Sequence, residues 1–406
     1  MIVQDTPAPV LIYRDHLLKF SEVWVRHQGE ALSEFRPYYV GSKRFPDVAL
    51  PEERVFTLGT GGLRGRVAEW AFKTMGFAPQ LDAWARNLNP ALIHAHFGLD
   101  GALMLPLARR LGLPLVVTFH GYDVMMKDEH ASRSFYVHRK YLRERERVMR
   151  DGDLFIAVSH CIRDLLLEQG FPESRTVVHY IGVDIRFFSP DPTVRREPIV
   201  LFVGRLSPEK GCDYLIQAMA EVQTVCPDVG LVVIGDGAER VALERQAAQT
   251  LRNARFLGAQ PQYVIRSWLN KAMVFAAPSL RLETGRGEAF GLVFAEAQAM
   301  GVPVVSFASY GVREAVADGE TGFLLPERDW QGLAQRIIQL LTNSAAWTTL
   351  SNAGRQRTAR MFDLAVQTRA LEDLYREVMR ERTVAQPQGV TEHRRGNPSA
   401  AVSLGR

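Results

Sequence analysis

Gly287-Glu288-Ala289-Phe290-Gly291-Leu292-Val293-Phe294-Ala295-Glu296 is followed closely by Ala299-Met300-Gly301-Val302-Pro303-Val304-Val305. Phe290-Gly291-Leu292 sits where a helix can begin, and Met300-Gly301 reads as a helix stop before a strand. Loop, helix, strand is the repeating unit of a parallel α/β sheet. A helix beginning near Gly291 would present free backbone N–H groups and the positive end of its dipole, which suits an anion. Glu288 would lie in the loop before it, and Glu296 one to two turns along it. A carboxylate there can accept two hydroxyl hydrogen bonds. Two glutamates with seven residues between them also arise by chance on a solvated helix, so their context decides.

The same alternation runs through the chain. Residues 10–13, 92–96, 115–120, 154–159 and 177–181 read as strands of one mostly parallel sheet. The pattern breaks at Ser189-Pro190-Asp191-Pro192-Thr193 and charged Arg195-Arg196-Glu197. A second series follows at 199–203, 231–234, 274–277 and 304–306. The expectation is α/β: two doubly wound, Rossmann-like domains facing each other across a cleft, over 1–187 and 199–360, joined by a linker at 188–198. Residues 361–383 are expected to form a helix packing back toward the first domain, with Leu371, Leu374 and Val378 on one face. Gln, Pro, Gly, Ser and Arg dominate 384–406, which reads as a disordered tail.

The length of 406 residues allows two or three domains, and 47% hydrophobic with 23% charged residues is ordinary for a soluble protein. The net charge of +4 permits an anionic partner without demanding one, and no nucleic-acid-reading motif is present. Met1-Ile2-Val3-Gln4-Asp5-Thr6-Pro7 lacks the basic and apolar regions of a signal peptide, and no apolar run is long enough to span a bilayer. Cys161, Cys212 and Cys226 form no C-x-x-C pair; they read as small buried residues of a reduced, cytoplasmic protein.

Phe202-Val203-Gly204-Arg205-Leu206-Ser207-Pro208-Glu209-Lys210-Gly211 follows the first strand of the second half. Gly204 permits a tight turn, and Arg205 and Lys210 lie at a strand's carboxyl end, where ligands of such sheets bind. Two cations there suit a diphosphate; two exposed loop charges are the plainer alternative. Val233-Ile234-Gly235-Asp236-Gly237 ends a strand in a glycine-rich turn. With Val241 beyond Arg240 and no third glycine in place, the dinucleotide fingerprint is incomplete, so this reads as a turn lining the diphosphate pocket. Phe256-Leu257-Gly258 reads either as a plain strand end or as backbone facing a base.

With Pro278-Ser279, Gly311-Val312-Arg313-Glu314 and Gly319-Glu320-Thr321-Gly322-Phe323, these segments resemble the retaining glycosyltransferases of family 4, which have the GT-B fold. The resemblance covers most of 198–345. It implies that Arg205 and Lys210 bind the donor diphosphate, Glu296 the ribose and Glu288 the transferred sugar. Gly204, Gly235 and the N–H groups near Phe290, Gly291 and Leu292 would complete the donor site. It implies no cofactor and no metal, the protein's cations taking the metal's place.

In the first half, His120 ends a strand and precedes Gly121-Tyr122-Asp123, so its imidazole should point into the cleft; a core histidine is the alternative. The resemblance makes it the histidine that contacts the donor sugar, catalytic together with Glu288. His94 and His96 face the same side of their strand, but no further metal ligand is evident, which leaves cleft lining or core hydrogen bonding. In Leu18-Lys19-Phe20-Ser21-Glu22-Val23-Trp24-Val25, Ser21 with Glu22 is expected to cap a helix at the cleft rim. The family's usual glycine pair is missing here. The Ser-Glu-aromatic form, with His94-Ala95-His96-Phe97-Gly98, resembles a branch that makes bacterial exopolysaccharides such as colanic acid. Ser21, Glu22, His96 and Asp123 stand as acceptor or cleft-rim candidates. Gly59-Thr60-Gly61-Gly62 is expected to be a flexible loop. Arg139-Lys140, Arg143, Arg145, Arg147 and Arg150, interleaved with Glu144 and Glu146, form either a solvated helix face or a contact with an anionic membrane.

The expected function is transfer of a hexose from a nucleoside diphosphate sugar to a saccharide acceptor on a lipid carrier, with the enzyme cytoplasmic or peripheral on the inner face of the plasma membrane. A sugar-nucleotide epimerase or phosphorylase of the same fold is the second class, although no site for a lysine-held pyridoxal phosphate is evident. A silent sugar-nucleotide-binding module is the third, and Arg205, Lys210, Glu288 and Glu296 argue against it.

Overall fold

The computed structural model describes residues 7–19, 22–59, 61–134 and 136–385. Strands β1 (Ala8–Tyr13), β3 (Phe35–Gly41), β5 (Val55–Thr57), β6 (Leu92–His96), β7 (Leu115–Phe119), β8 (Leu154–Ala157) and β9 (Thr176–Val178) form a seven-stranded sheet in the order β5-β3-β1-β6-β7-β8-β9. β2 (His16–Leu17) and β4 (Lys43–Arg44) pair beside it. β10 (Glu197–Val203), β11 (Gly230–Ile234), β12 (Ala254–Phe256), β13 (Ala272–Ala276), β14 (Val304–Phe307) and β15 (Gly322–Leu325) form a six-stranded sheet in the order β12-β11-β10-β13-β14-β15. Pairing within both sheets is parallel. The long apolar runs are therefore covered on both faces: Val10, Leu11, Ile12 and Tyr13 are all buried.

Three of these strands carried no readable signal in the sequence. In β3, Arg36 and Pro37 interrupt the apolar pattern. β5 has only three residues and β15 opens on Gly322, whereas the strand end read at Phe256 closes the short β12. β10 begins at Glu197, inside the turn-rich connection. The segment read as a loop at Gly59-Thr60-Gly61-Gly62 instead leads into the helix Gly62–Met75, Gly61 and Gly62 taking left-handed backbone; Thr60 lies outside the described residues. Cys212 is buried, whereas Cys161 and Cys226 are half-buried, and all three thiols are free.

The helix Leu364–Ala385 lies on the first sheet, burying Leu371, Tyr375 and Val378 there. Its buried Glu372 accepts hydrogen bonds from the backbone N–H groups of Ser33 (2.6 Å) and Glu34 (2.7 Å). Of the tail, 384–385 belong to this helix and 386–406 lie outside the described residues. The chain returns where Val183 and Leu364 exchange backbone contacts, Val183 N–H to Phe362 O (2.7 Å) and Leu364 N–H to Val183 O (2.9 Å). The two connections between the halves thus run side by side. A second bridge is Glu314, whose carboxylate accepts from the N–H groups of His160 (2.9 Å) and Cys161 (3.1 Å) and from the Tyr180 hydroxyl (3.1 Å). Those two N–H groups open the helix His160–Glu168 and have no partner within it.

Candidate active site in the cleft between the sheets

Residues just beyond the carboxyl ends of β1, β6, β7, β10 and β11 line two adjoining cavities of 590 and 610 Å³. Lys19, Trp24, Arg205, Lys210, Glu288, Gly291 and Leu292 line both. The first extends along the second sheet past Gly204, Gly235, Gln260 and Glu296. The second is walled by Arg14, Glu22, Phe97, His120 and Tyr122 from the first half and by Ala289 and Phe290 from the second. Volumes of this size suit a ligand with several rings.

Local sequence builds the shared wall. Gly291, in left-handed backbone (φ 81°), turns the chain into the helix Leu292–Ala299. That helix ends in a Schellman motif, with Val302 N–H on Ala297 O and Gly301 N–H on Gln298 O (both 2.9 Å). Its amino end opens on the cavities without a side-chain cap. Gly235 lies so close to the β10 loop that a Cβ there would sit 1.8 Å from the Gly204 carbonyl oxygen. The two glycine turns are thereby stacked at the cavity edge. Gly258 O accepts from Gly235 N–H (2.9 Å), and it is Ala259 and Gln260 beyond it that line the cavity.

Charges are distributed unevenly across this wall. Lys210 is bound to Glu288 through Nζ and Oε2. Arg205 is largely exposed and lies 3.6 Å from Glu209, which is buried and also holds Arg286 at 2.7 Å. Burial alone would raise the Glu209 carboxyl, but its own backbone N–H, Arg286 and Arg205 outweigh that and hold it below its ordinary value. Glu296 has no such cation. Its carboxylate makes no hydrogen bond or ion pair among the described residues, and burial pushes it up to about 7. It is half-buried and lines the first cavity.

Across the cleft, His120 Nε2 and His96 Nδ1 are 3.1 Å apart, and the Trp24 and Phe97 rings pack on His120 at 4.2 and 4.8 Å. Burial, with neighbouring histidines adding to it, holds both imidazoles well below their ordinary pKa, so both are neutral near pH 7. His96 is buried behind His120 and does not reach the cavities, which corrects its reading as a rim residue. His94 uses both ring nitrogens in the core, on Tyr375 Oη (2.6 Å) and Thr118 Oγ1 (2.7 Å). Among the described residues no three of His, Cys, Asp and Glu are grouped to hold a metal ion.

Glu22 does line the second cavity, but it makes no helix cap. Arg14 holds both its oxygens (3.2 and 2.9 Å) and reaches Asp100 as well (2.9 Å). Ser21 lies outside the described residues. Asp123 turns away from the cavities to accept the Gly98 N–H (2.7 Å), and burial raises its carboxyl to about 6. A cleft-facing role does not fit that position. Arg14, Lys19, Trp24 and Tyr122 were missed from sequence. Arg14 directly follows β1, so the rule that ligands gather at strand ends would have found it.

Residues 42–187 match the family described as Glycosyltransferase Family 4, and 185–357 match Glycosyl transferases group 1. WcaL of Escherichia coli, described as a colanic acid biosynthesis glycosyltransferase, is 30% identical over 290 residues, 69% of each chain. The chain belongs to glycosyltransferase family 4. A second relative of this family 4 glycosyltransferase is the GDP-mannose-dependent phosphatidylinositol monomannoside mannosyltransferase of Mycolicibacterium smegmatis, 33% identical over 63% of this chain and 68% of that one. Its fold is GT-B, shared with Anabaena HepE solved in complex with UDP-glucose (TM-score 0.74, 22% identity, 91% of this chain and all, 100%, of that one). Sucrose-phosphate synthase of Thermosynechococcus elongatus shares it too (TM-score 0.71, 23% identity, covering 92% and 100%).

Proposed function

We propose that this family 4 glycosyltransferase moves a hexose, with retention of configuration, from a nucleoside diphosphate sugar to a saccharide acceptor on a lipid carrier, building an exopolysaccharide or other cell-surface glycan from the cytoplasmic side. The carrying observation is the shared wall: Arg205, Lys210 and the uncapped amino end of the helix Leu292–Ala299 stand together, with the unpaired Glu296 carboxylate farther along the same cavity. Cations and helix N–H groups suit a diphosphate, and an unpaired carboxylate suits a ribose diol. HepE was solved with UDP-glucose and WcaL is described in colanic acid synthesis, which supports both halves of the reading.

Catalysis is then mainly electrostatic. As the bond from C1 to the diphosphate oxygen lengthens, Arg205, Lys210 and the helix N–H groups stabilise the departing negative charge, so the reaction is metal-independent. The acceptor hydroxyl attacks C1 on the leaving-group face and gives its proton to a donor phosphate oxygen. Neutral His120 and Glu288 face each other across the second cavity, where the sugar would lie, and act by hydrogen bonding. Thermal shift with UDP, GDP and ADP tests the donor site: stabilisation by one base is expected, and none with any would sink the reading. Incubating the preferred donor sugar with lipid-linked saccharides and reading the product anomer by NMR tests the transfer.

A further inference from the structure

Eleven large apolar side chains are exposed among the described residues, and five of them fall between 63 and 77: Leu63, Val67, Trp70, Met75 and Phe77, each 56–77% exposed. Helical spacing in Gly62–Met75 puts Leu63, Val67 and Trp70 on one stripe and the buried Gly65 and Phe72 on the opposite side. Arg64 and Arg66 flank the stripe on its two edges, both exposed and without an ion-pair partner among the described residues. The one acid of this helix, Glu69, is held by Lys73 (2.8 Å) and Lys43 (3.4 Å). The outward face is therefore apolar with a positive border.

We infer that the helix Gly62–Met75 seats the enzyme on an anionic phospholipid bilayer. An apolar stripe with tryptophan and flanking arginines matches an interfacial helix lying in the headgroup plane. The position suits a lipid-borne acceptor. Lys43, which holds this helix through Glu69, lies in β4, and Phe45 just beyond β4 lines the first cavity. The arginine-rich helix Tyr136–Asp151 fits the role less well, because Arg145, Arg147 and Arg150 are paired with Asp128, Glu144 and Asp151. The inference rests on the proposed reading only for what the bilayer delivers; the contact itself needs no donor.

Co-sedimentation of the full chain with phosphatidylcholine vesicles, with and without half phosphatidylglycerol, tests it. Binding to the anionic vesicles alone is expected. An L63S/V67S/W70S variant should lose it, and R64E/R66E should weaken it by at least about 25-fold, from about fivefold per arginine. Both variants should keep the wild-type thermal shift with nucleoside diphosphate, which shows that they fold. Equal binding by wild type and variants, or none by wild type, overturns the contact. A wild-type dimer in analytical ultracentrifugation that the triple variant dissolves also overturns it, since a second copy would then cover the face. Vesicle binding by a protein that takes up no nucleoside diphosphate upholds the contact and overturns the donor reading.

Discussion

The ammonium of Lys210 is bound to the carboxylate of Glu288 in the cleft, across 78 residues of sequence. A cation suited to a diphosphate and a carboxylate suited to a sugar thus neutralise each other. On the proposed function, donor binding would redirect Lys210 toward phosphate and leave Glu288 free to face the sugar. Glu288→Gln should leave nucleoside diphosphate affinity unchanged or tighter, since Lys210 loses its competitor. Turnover should fall about 10²–10³-fold, the cost of one group acting on the reacting centre. Calorimetry with steady-state rates checks this; a matched loss of affinity would move Glu288 to the donor's ground state.

Glu296 predicts a pH dependence whose sign follows from its raised pKa. Protonated below about 7, the carboxyl is a poorer acceptor for two hydroxyls than the carboxylate above it. Affinity for the donor sugar should rise with pH through about 7 and then level off, and Glu296→Gln should flatten the curve. A donor sugar's diphosphate is a diester with no proton to lose in this range, so it adds no slope. The same shift makes the ligand-free protein lose stability as pH rises from 4.5 toward 7, because the folded state holds the proton longer than the unfolded chain.

Glu314 predicts a change in the relation between the halves. Glu314→Ala would strip the His160 and Cys161 N–H groups and the Tyr180 hydroxyl of their shared acceptor. A loss of about 1–3 kcal/mol in stability is expected, since the helix opened by those groups keeps only its Ser159 cap. Small-angle scattering should show a wider spread of domain separations than in wild type. Unchanged scattering with unchanged stability would make the contact incidental.

Glu372 ties the last helix to the first sheet. Glu372→Ala would leave the N–H groups of Ser33 and Glu34 without their acceptor, at about 1–3 kcal/mol each before water reaches them. Tyr375→Phe should cost about 1 kcal/mol by removing the hydroxyl that His94 Nδ1 meets. Chemical denaturation measures both, and neither should alter donor affinity, because these groups lie outside both cavities.

Much of the site was legible in the sequence because its signals are local. Gly204-Arg205 at a strand end, the glycine turn at Gly235 and the helix start at Gly291 each depend on neighbours a few residues away. The uninterrupted apolar runs marked the buried parallel strands by the same logic, whereas β3, broken by Arg36 and Pro37, did not show. His96 misled because strand position says which side a residue faces and not how deep it lies, and Asp123 because nearness to a strand end does not say which way a loop side chain turns.

The sequence by itself determined the α/β alternation, the two series of strands and the placing of Arg205, Lys210, Glu288 and Glu296 at strand and helix ends, since backbone preference and helix ends are written in short segments. Only the tertiary structure decided that Lys210 rests on Glu288, that Glu22 is locked by Arg14, that His96 stands behind His120 and that Leu63, Val67 and Trp70 remain uncovered. Burial and ion pairing depend on what the folded chain brings alongside from far away, and no spacing within a segment records that.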